Sequence, residues 1–106
     1  MSETRLHTLE DYERGIAASA RVLLFKHSPL CPVSAAAREE YEAFAAAHPD
    51  FPTLFVDVIA DRAVARGIAD RCGVRHESPQ AILFVGGKAV ASASHQAITA
   101  AALAQL

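Results

Sequence analysis

Three stretches of the chain are short runs of mostly apolar, β-prone residues, at positions 22–25, 53–58 and 81–85. Such runs are typical of strands that are buried on both faces of a sheet. A fourth segment, residues 88–94, alternates between apolar and polar side chains and follows Gly86 and Gly87, a two-residue hairpin signal. We therefore predict three buried strands and one return strand.

Apolar residues at helical spacing fill most of the intervening chain. They predict a helix over residues 8–19 with Thr8 as its cap, and a second helix that opens at Pro32 and continues to about His48. Cys31 would cap this second helix.

A third helix is predicted between Asp61 as its cap and Gly73 as its stop, and a fourth from about Gln96 to the terminus. The order of elements is α-βαβ-α-ββα. A βαβ unit pairs its strands in parallel, whereas the glycine hairpin pairs antiparallel. We expect one α/β domain over residues 1–106, with a four-stranded mixed sheet flanked by helices, which is the thioredoxin-like fold.

Composition and charge narrow the classes of function. Apolar residues make up 52% of the 106 residues, enough for a core, and the net charge of -2 lacks the basic footprint of a nucleic-acid or anionic-membrane binder. No apolar run approaches a membrane span, and two cysteines are too few for a disulfide framework or a cysteine-based zinc site. We expect no bound metal or cofactor and a cytoplasmic location.

Cys31 is the strongest candidate for chemistry. A thiol between a strand and the first turn of a helix lies beside unpaired backbone amides and the positive end of the helix dipole, which stabilise a thiolate. Lys26 and His27 at the strand end would add positive potential. The alternative is a buried structural cysteine, but its place between two prolines favours a reactive thiol.

The motif Cys31-Pro32-Val33-Ser34 predicts chemistry with a single thiol. Dithiol oxidoreductases carry a second cysteine three residues after the first, where this chain has Ser34. A serine hydroxyl forms no disulfide, although it can donate a hydrogen bond to a thiolate. Cys72 lies on the apolar stripe of the third helix, and we interpret it as a core residue rather than a resolving thiol.

The segment before the third strand holds further candidates. Ser78 and Pro79 follow a loop and precede this strand, where a cis bond would direct backbone groups toward the Cys31 helix. An ordinary strand-start proline is the alternative. Among the histidines, His76 is the best candidate for tuning the thiolate, with a surface role as the alternative. No spacing resembles a histidine metal site.

Residues 25–28, the C-P-V-S motif, residues 75–80 (R-H-E-S-P-Q) and Ser94-His95 resemble the YtxJ-like monothiol bacilliredoxins. The resemblance spans residues 22–106, with Leu30 where the family commonly has threonine. It implies a thioredoxin fold and the removal of bacillithiol from S-bacillithiolated protein cysteines. By position, Cys31 looks like the attacking cysteine and Pro79 like the cis-proline.

The resemblance also implies partners. They are S-bacillithiolated client proteins, bacillithiol as the thiol co-substrate, and a reductase that resets the enzyme. We expect Pro32, Ser34, His76, Ser78 and Pro79 to bind substrate or tune the thiolate, and we expect a monomer that binds neither nucleic acid nor membrane. Two other functions stay open: a redox-inert peptide-binding module, and a monothiol glutaredoxin-like protein that uses glutathione or holds an iron–sulfur cluster.

Overall fold

The computed structural model describes residues 3–106. Its five strands form one mixed sheet in the order β1-β3-β2-β4-β5. The strands are β1 (Glu3–Arg5), β2 (Arg21–His27), β3 (Thr53–Asp57), β4 (Gln80–Val85) and β5 (Lys88–Ser94). The helices are α1 (Leu9–Ala17), α2 (Pro32–Ala47), α3 (Arg62–Cys72), a 3₁₀ turn η1 (His95–Ala97) and α4 (Ala100–Ala104).

The three buried strands lie where the apolar runs predict them, and the sheet is mixed as expected. β2 pairs in parallel with β3 and antiparallel with β4, and β4 pairs antiparallel with β5. The prediction of four strands is wrong by one. β1 adds a fifth strand, parallel to β3, at the sheet edge. Its three residues are polar and only partly covered, so no apolar run marks it.

Two hydrophobic clusters lie on opposite faces of the sheet. One cluster packs Tyr12 and Ile16 of α1 and Ile68 of α3 against the sheet. The other packs Tyr41 and Phe44 of α2 and Leu103 of α4 against the other face. Successive residues of β2 alternate between the clusters, and this alternation decides which face receives each residue at the end of the strand.

The predicted helix boundaries are largely confirmed. Thr8 caps α1 in a capping box with Asp11, Pro32 is the first residue of α2, and Gly73 ends α3 in the left-handed region at φ 74°. Asp61 precedes α3, but its side chain makes no capping hydrogen bond and instead contacts His7 Nδ1 at 3.2 Å.

The predicted C-terminal helix is wrong in its continuity. The chain forms the turn η1, passes through an extended residue, Ile98, and only then begins α4, which Thr99 caps. Ile98 is 2% exposed and packs in the hydrophobic cluster that α2 and α4 form with the sheet. The extended backbone at Ile98 buries this side chain, and the α-helix therefore begins after it instead of near Gln96.

Candidate active site

Cys31 lies where the chain passes from β2 into α2. It is the N-cap residue of α2, with extended backbone angles (φ -107°, ψ 120°), and its side chain is partly buried and makes no capping hydrogen bond. Its amide donates to the Ser28 carbonyl oxygen at 3.1 Å, and its carbonyl accepts from the Ala35 amide at 3.1 Å. These two bonds fix the thiol at the positive end of a 16-residue helix.

The loop before Cys31 places the thiol at the surface. Leu30 is 82% exposed, and Pro29 beside it is also exposed. The loop is short, because β2 continues to His27 and α2 begins at Pro32. A partner molecule can therefore approach Cys31 over an exposed apolar side chain.

Ser34 lies one turn into α2 and is completely buried. Its Oγ accepts from the Ser28 amide at 2.9 Å and lies 3.0 Å from His27 Nδ1. The hydroxyl therefore ties the loop before Cys31 to the helix after it. The sequence suggested a hydrogen bond from Ser34 to the thiolate, whereas the described partners of Ser34 are Ser28 and His27.

His27 is the last residue of β2 and is 6% exposed. Its ring lies 5.6 Å from the Phe55 ring and 6.2 Å from the Phe25 ring, between centroids. Burial, helped by the Arg38 guanidinium, lowers the pKa of His27 below its usual value of 6.5. A neutral imidazole therefore supports Ser34 beneath the Cys31 loop.

Pro79 lies beside the end of β2, and the peptide bond before it, Ser78–Pro79, is cis. The register between β2 and β4 pairs Gln80 with Lys26, so Pro79 comes level with His27. The Pro79 carbonyl oxygen accepts from the His95 amide at 3.0 Å. The strand pairing thus brings the cis-proline segment and the loop before Cys31 to one edge of the sheet.

His95 has a backbone conformation that side chains rarely adopt, with φ 55°. It directly follows β5, and a cavity of about 530 Å³ between α2 and η1 has Pro32, Val33 and His95 among its lining residues. The pKa of Glu77 is lowered, first by a hydrogen bond from the Ser94 side chain and also by His95. The segments 75–80 and 94–95 therefore meet in space.

Lys26 and His76 lie on the opposite face of the sheet from Ser34. Lys26 is 0% exposed, and its Nζ is 3.1 Å from His76 Nδ1. Burial lowers the pKa of Lys26, and burial together with the Lys26 charge lowers the pKa of His76. The described side-chain hydrogen bond of His76 goes to Lys26, and its role in tuning the thiolate stays a prediction.

The neighbour of Lys26 across the ladder is Gln80, which is 2% exposed. Its Nε2 donates to the Arg75 carbonyl oxygen at 3.0 Å, while its Oε1 has no hydrogen-bond partner within residues 3–106. No pattern in the sequence marks Lys26 as buried, because lysine is rarely found inside a protein. Lys26 follows Val22 and Leu24 at alternate positions of β2, so it lies on the face of the sheet that α3 covers.

The model of the family described as monothiol bacilliredoxin BrxC matches residues 4–103 of this chain. The chain belongs to the monothiol bacilliredoxin family.

Solved structures agree with the fold of this bacilliredoxin. One, described as a proposed oxidoreductase with a thioredoxin fold, superposes with a TM-score of 0.90 at 33% identity and covers 98% of this chain and 92% of its own. Mitochondrial thioredoxin 3 of Saccharomyces cerevisiae gives 0.77 at 19% identity, covering 98% and 92%. Thioredoxin of Trypanosoma brucei brucei gives 0.78 at 16% identity, covering 98% and 86%. The thioredoxin fold is confirmed.

The family and the fold together make this bacilliredoxin a thiol–disulfide oxidoreductase. Both of its cysteines are free thiols. Cys72 ends α3 and packs against the hydrophobic cluster that α1 and α3 form with the sheet, as its place on the apolar stripe predicts. Cys31 precedes α2, which packs on the other face. The arrangement at Cys31 is that of a single free thiol at the start of a helix, with a serine one turn along.

The described part of the chain was predicted to hold neither a metal site nor a membrane span. Residues 3–106 contain no group of three or more histidine, cysteine, aspartate or glutamate side chains that would hold a metal ion. Within the same residues, no helix is long and apolar enough to span a membrane.

Proposed function

We propose that this bacilliredoxin removes bacillithiol from S-bacillithiolated protein cysteines through a mixed disulfide at Cys31. The observation that carries the proposal is the pair formed by Cys31 and Ser34. Cys31 caps α2 at a surface loop, and the position one turn later holds a buried serine. An enzyme with one thiol at this place retains the group that it accepts until a second molecule removes it.

The first step is an exchange in which the Cys31 thiolate attacks the bacillithiol sulfur of the client's mixed disulfide. A bond forms between Cys31 Sγ and that sulfur, and the bond to the client sulfur breaks. The client cysteine leaves as a thiolate and takes a proton from solvent. No net oxidation occurs, because one disulfide replaces another.

The second step resets the enzyme. A further low-molecular-weight thiol attacks the bacillithiol sulfur held on Cys31, which releases the Cys31 thiolate and forms a disulfide between the two small thiols. A reductase acting on the Cys31 mixed disulfide would supply the two electrons by another route. Ser34 cannot carry out this step, since a hydroxyl forms no disulfide.

The segment at Ser78 and Pro79 would orient the client protein. It lies at the same edge of the sheet as the Cys31 loop, and the Pro79 carbonyl is fixed by the His95 amide. A client strand that pairs with the Ser78 backbone would bring its disulfide to Cys31 in line for attack. Exposed Leu30 gives this edge an apolar contact for the client.

The test is intact mass spectrometry after incubation with oxidised bacillithiol and, separately, with oxidised glutathione. We expect one bacillithiol added per chain, located on Cys31 by peptide mapping, and none added to the Cys31→Ser variant. The Cys72→Ala variant is the matched control and should take up bacillithiol as the wild type does.

Two other results would contradict the proposal. Faster modification by glutathione than by bacillithiol would favour the glutaredoxin-like function. No adduct from either disulfide would favour the redox-inert binding module.

A further inference from the structure

The arginines of this chain fall into two groups. Arg14, Arg38 and Arg71 form ion pairs with carboxylates, and Arg5 and Arg21 lie over phenylalanine rings. The remaining three make neither an ion pair nor a ring contact within the described residues 3–106: Arg62, Arg66 and Arg75.

These three arginines surround His76. One cavity, of about 390 Å³, is lined by Val58, Ile59, Arg62, Ala65, Arg66 and His76. A second, of about 470 Å³, adjoins it at Arg66 and His76 and includes Arg75 in its lining. We call the first cavity with its arginine rim the arginine groove.

Cationic side chains predominate in the arginine groove. No carboxylate lines the first cavity, whereas Asp70 lines the adjoining one and Glu77 acts on His76 from outside the groove. Lys26 lies beneath, with its Nζ against His76 Nδ1. With Lys26 as an ammonium, which has no acceptor, Nδ1 accepts and the imidazole keeps its proton on Nε2 as a donor. The guanidinium groups and the neutral His76 donor could all donate hydrogen bonds to a carboxylate.

Hydrogen bonds connect the wall of the arginine groove to the residues beneath the Cys31 loop, on the other face of the sheet. Val58, in its wall, donates its amide to the His27 carbonyl oxygen at 2.9 Å, and His27 in turn contacts Ser34. His76 is two residues before Ser78 in the segment that leads to the cis-proline. The carboxyl ends of β2 and β3, which precede Cys31 and Arg62, lie at the same edge of the sheet.

We propose that the arginine groove binds the carboxylate-bearing part of the low-molecular-weight thiol while its sulfur exchanges at Cys31. The inference rests on the proposed function and assigns a substrate subsite for the carboxylates of that thiol. A cavity of about 390 Å³ is the size of a small-molecule site. An acidic segment of the client is the competing occupant.

The experiment compares disulfides that differ in charge. The double variant Arg62→Gln, Arg66→Gln changes two exposed side chains that lack ion pairs, and Arg14→Gln, an exposed ion-paired arginine on α1, is the control. Mass spectrometry follows the rate at which Cys31 takes up a thiol from oxidised bacillithiol and from uncharged bis(2-hydroxyethyl) disulfide.

We expect the double variant to react at least about tenfold more slowly with oxidised bacillithiol, the effect of losing a charged hydrogen bond, and at an unchanged rate with the uncharged disulfide. Added salt should slow the wild type with bacillithiol in the same selective way. Equal rates for the double variant and the wild type with oxidised bacillithiol would overturn the inference. So would an equal slowing of both disulfides.

A second measurement separates this inference from the proposed function. Malonate, a plain dicarboxylate, is titrated into the Cys31→Ser variant, which cannot exchange, with and without the two arginine substitutions. We expect malonate to raise the thermal midpoint only where both arginines are present. If malonate binds but wild-type Cys31 takes up no thiol, the proposed function fails while the groove stands. If malonate does not bind, and the double variant slows only an acidic S-bacillithiolated peptide, the groove belongs to the client.

Discussion

Single side chains beneath the Cys31 loop determine its shape. Ser34 Oγ joins the Ser28 amide to the His27 ring, and the ring is enclosed by Phe25 and Phe55. The Ser28 amide, Ser34 Oγ and His27 Nδ1 each have a hydrogen-bond partner here. Burying a polar group without such a partner would cost stability. The loop is thus held from below by groups that do not themselves react.

The stability of the protein should fall in mild acid because of His27. Its pKa is lowered from 6.5 in the folded protein, so between that value and the lowered one the unfolded chain binds the proton and the folded chain does not. The contribution of His27 to the free energy of unfolding should be complete above pH 6.5. Below pH 6.5, the free energy of unfolding should decrease by up to about 1.4 kcal/mol per pH unit.

Urea unfolding from pH 7.5 to 5 measures this dependence. His76, whose pKa is also lowered, contributes in the same direction, so the His27→Gln variant should lose part of the slope and not all of it. The same slope in wild type and His27→Gln would show that His27 is not held neutral.

At the scale of elements, the junction of β2 with α2 holds Cys31, the residue to which the proposed exchange is assigned. The apolar run of β2, the proline at the first position of α2 and the cysteine between them all agree on one boundary. The sequence therefore predicts this junction well, because local propensity and burial point in the same direction.

One helical turn separates residues 31 and 34, so Ser34→Cys should create a working dithiol pair. On oxidation we expect the variant to lose two hydrogens in mass and form an internal disulfide, since side chains three apart on a helix are neighbours. Ala36→Cys is the control, because it puts a thiol at an exposed position of the same helix, five residues after Cys31 instead of three.

The oxidation of the Ser34→Cys variant tests the monothiol interpretation. A Ser34→Cys variant that keeps both thiols, under conditions that oxidise a dithiol control protein, would contradict the placement of residue 34 beside Cys31. A disulfide between residues 31 and 72 in the wild type would contradict it from the other direction.

Across the whole molecule, what the sequence missed depends on contacts between distant segments. The three polar residues of β1 become a strand only because the edge of β3 is available to pair with them. Lys26 is buried because α3 and the loop holding His76 cover it, although lysine alone predicts exposure. The positive φ of His95 likewise follows from the meeting of η1 with the Pro79 segment.

The parts of the site that could be predicted are those set by neighbouring residues. Cys31 as a helix cap, Pro32 after it and Ser34 one turn on follow from a seven-residue stretch and the helix that it opens. The Arg62–Arg66 rim could not be predicted, because the sequence does not show that these two exposed side chains line one cavity with His76. Only the structure shows that no carboxylate lines this cavity.

The central claim is that one thiol, Cys31, removes bacillithiol from client proteins, and the direct measurement is the rate of that removal from an S-bacillithiolated model client. We predict that Cys31→Ser abolishes turnover and that Cys72→Ala keeps the rate within about twofold of wild type, since Cys72 is partly buried at the end of α3, on the other face of the sheet from α2. Turnover by Cys31→Ser, or its loss in a folded Cys72→Ala variant, would contradict the account.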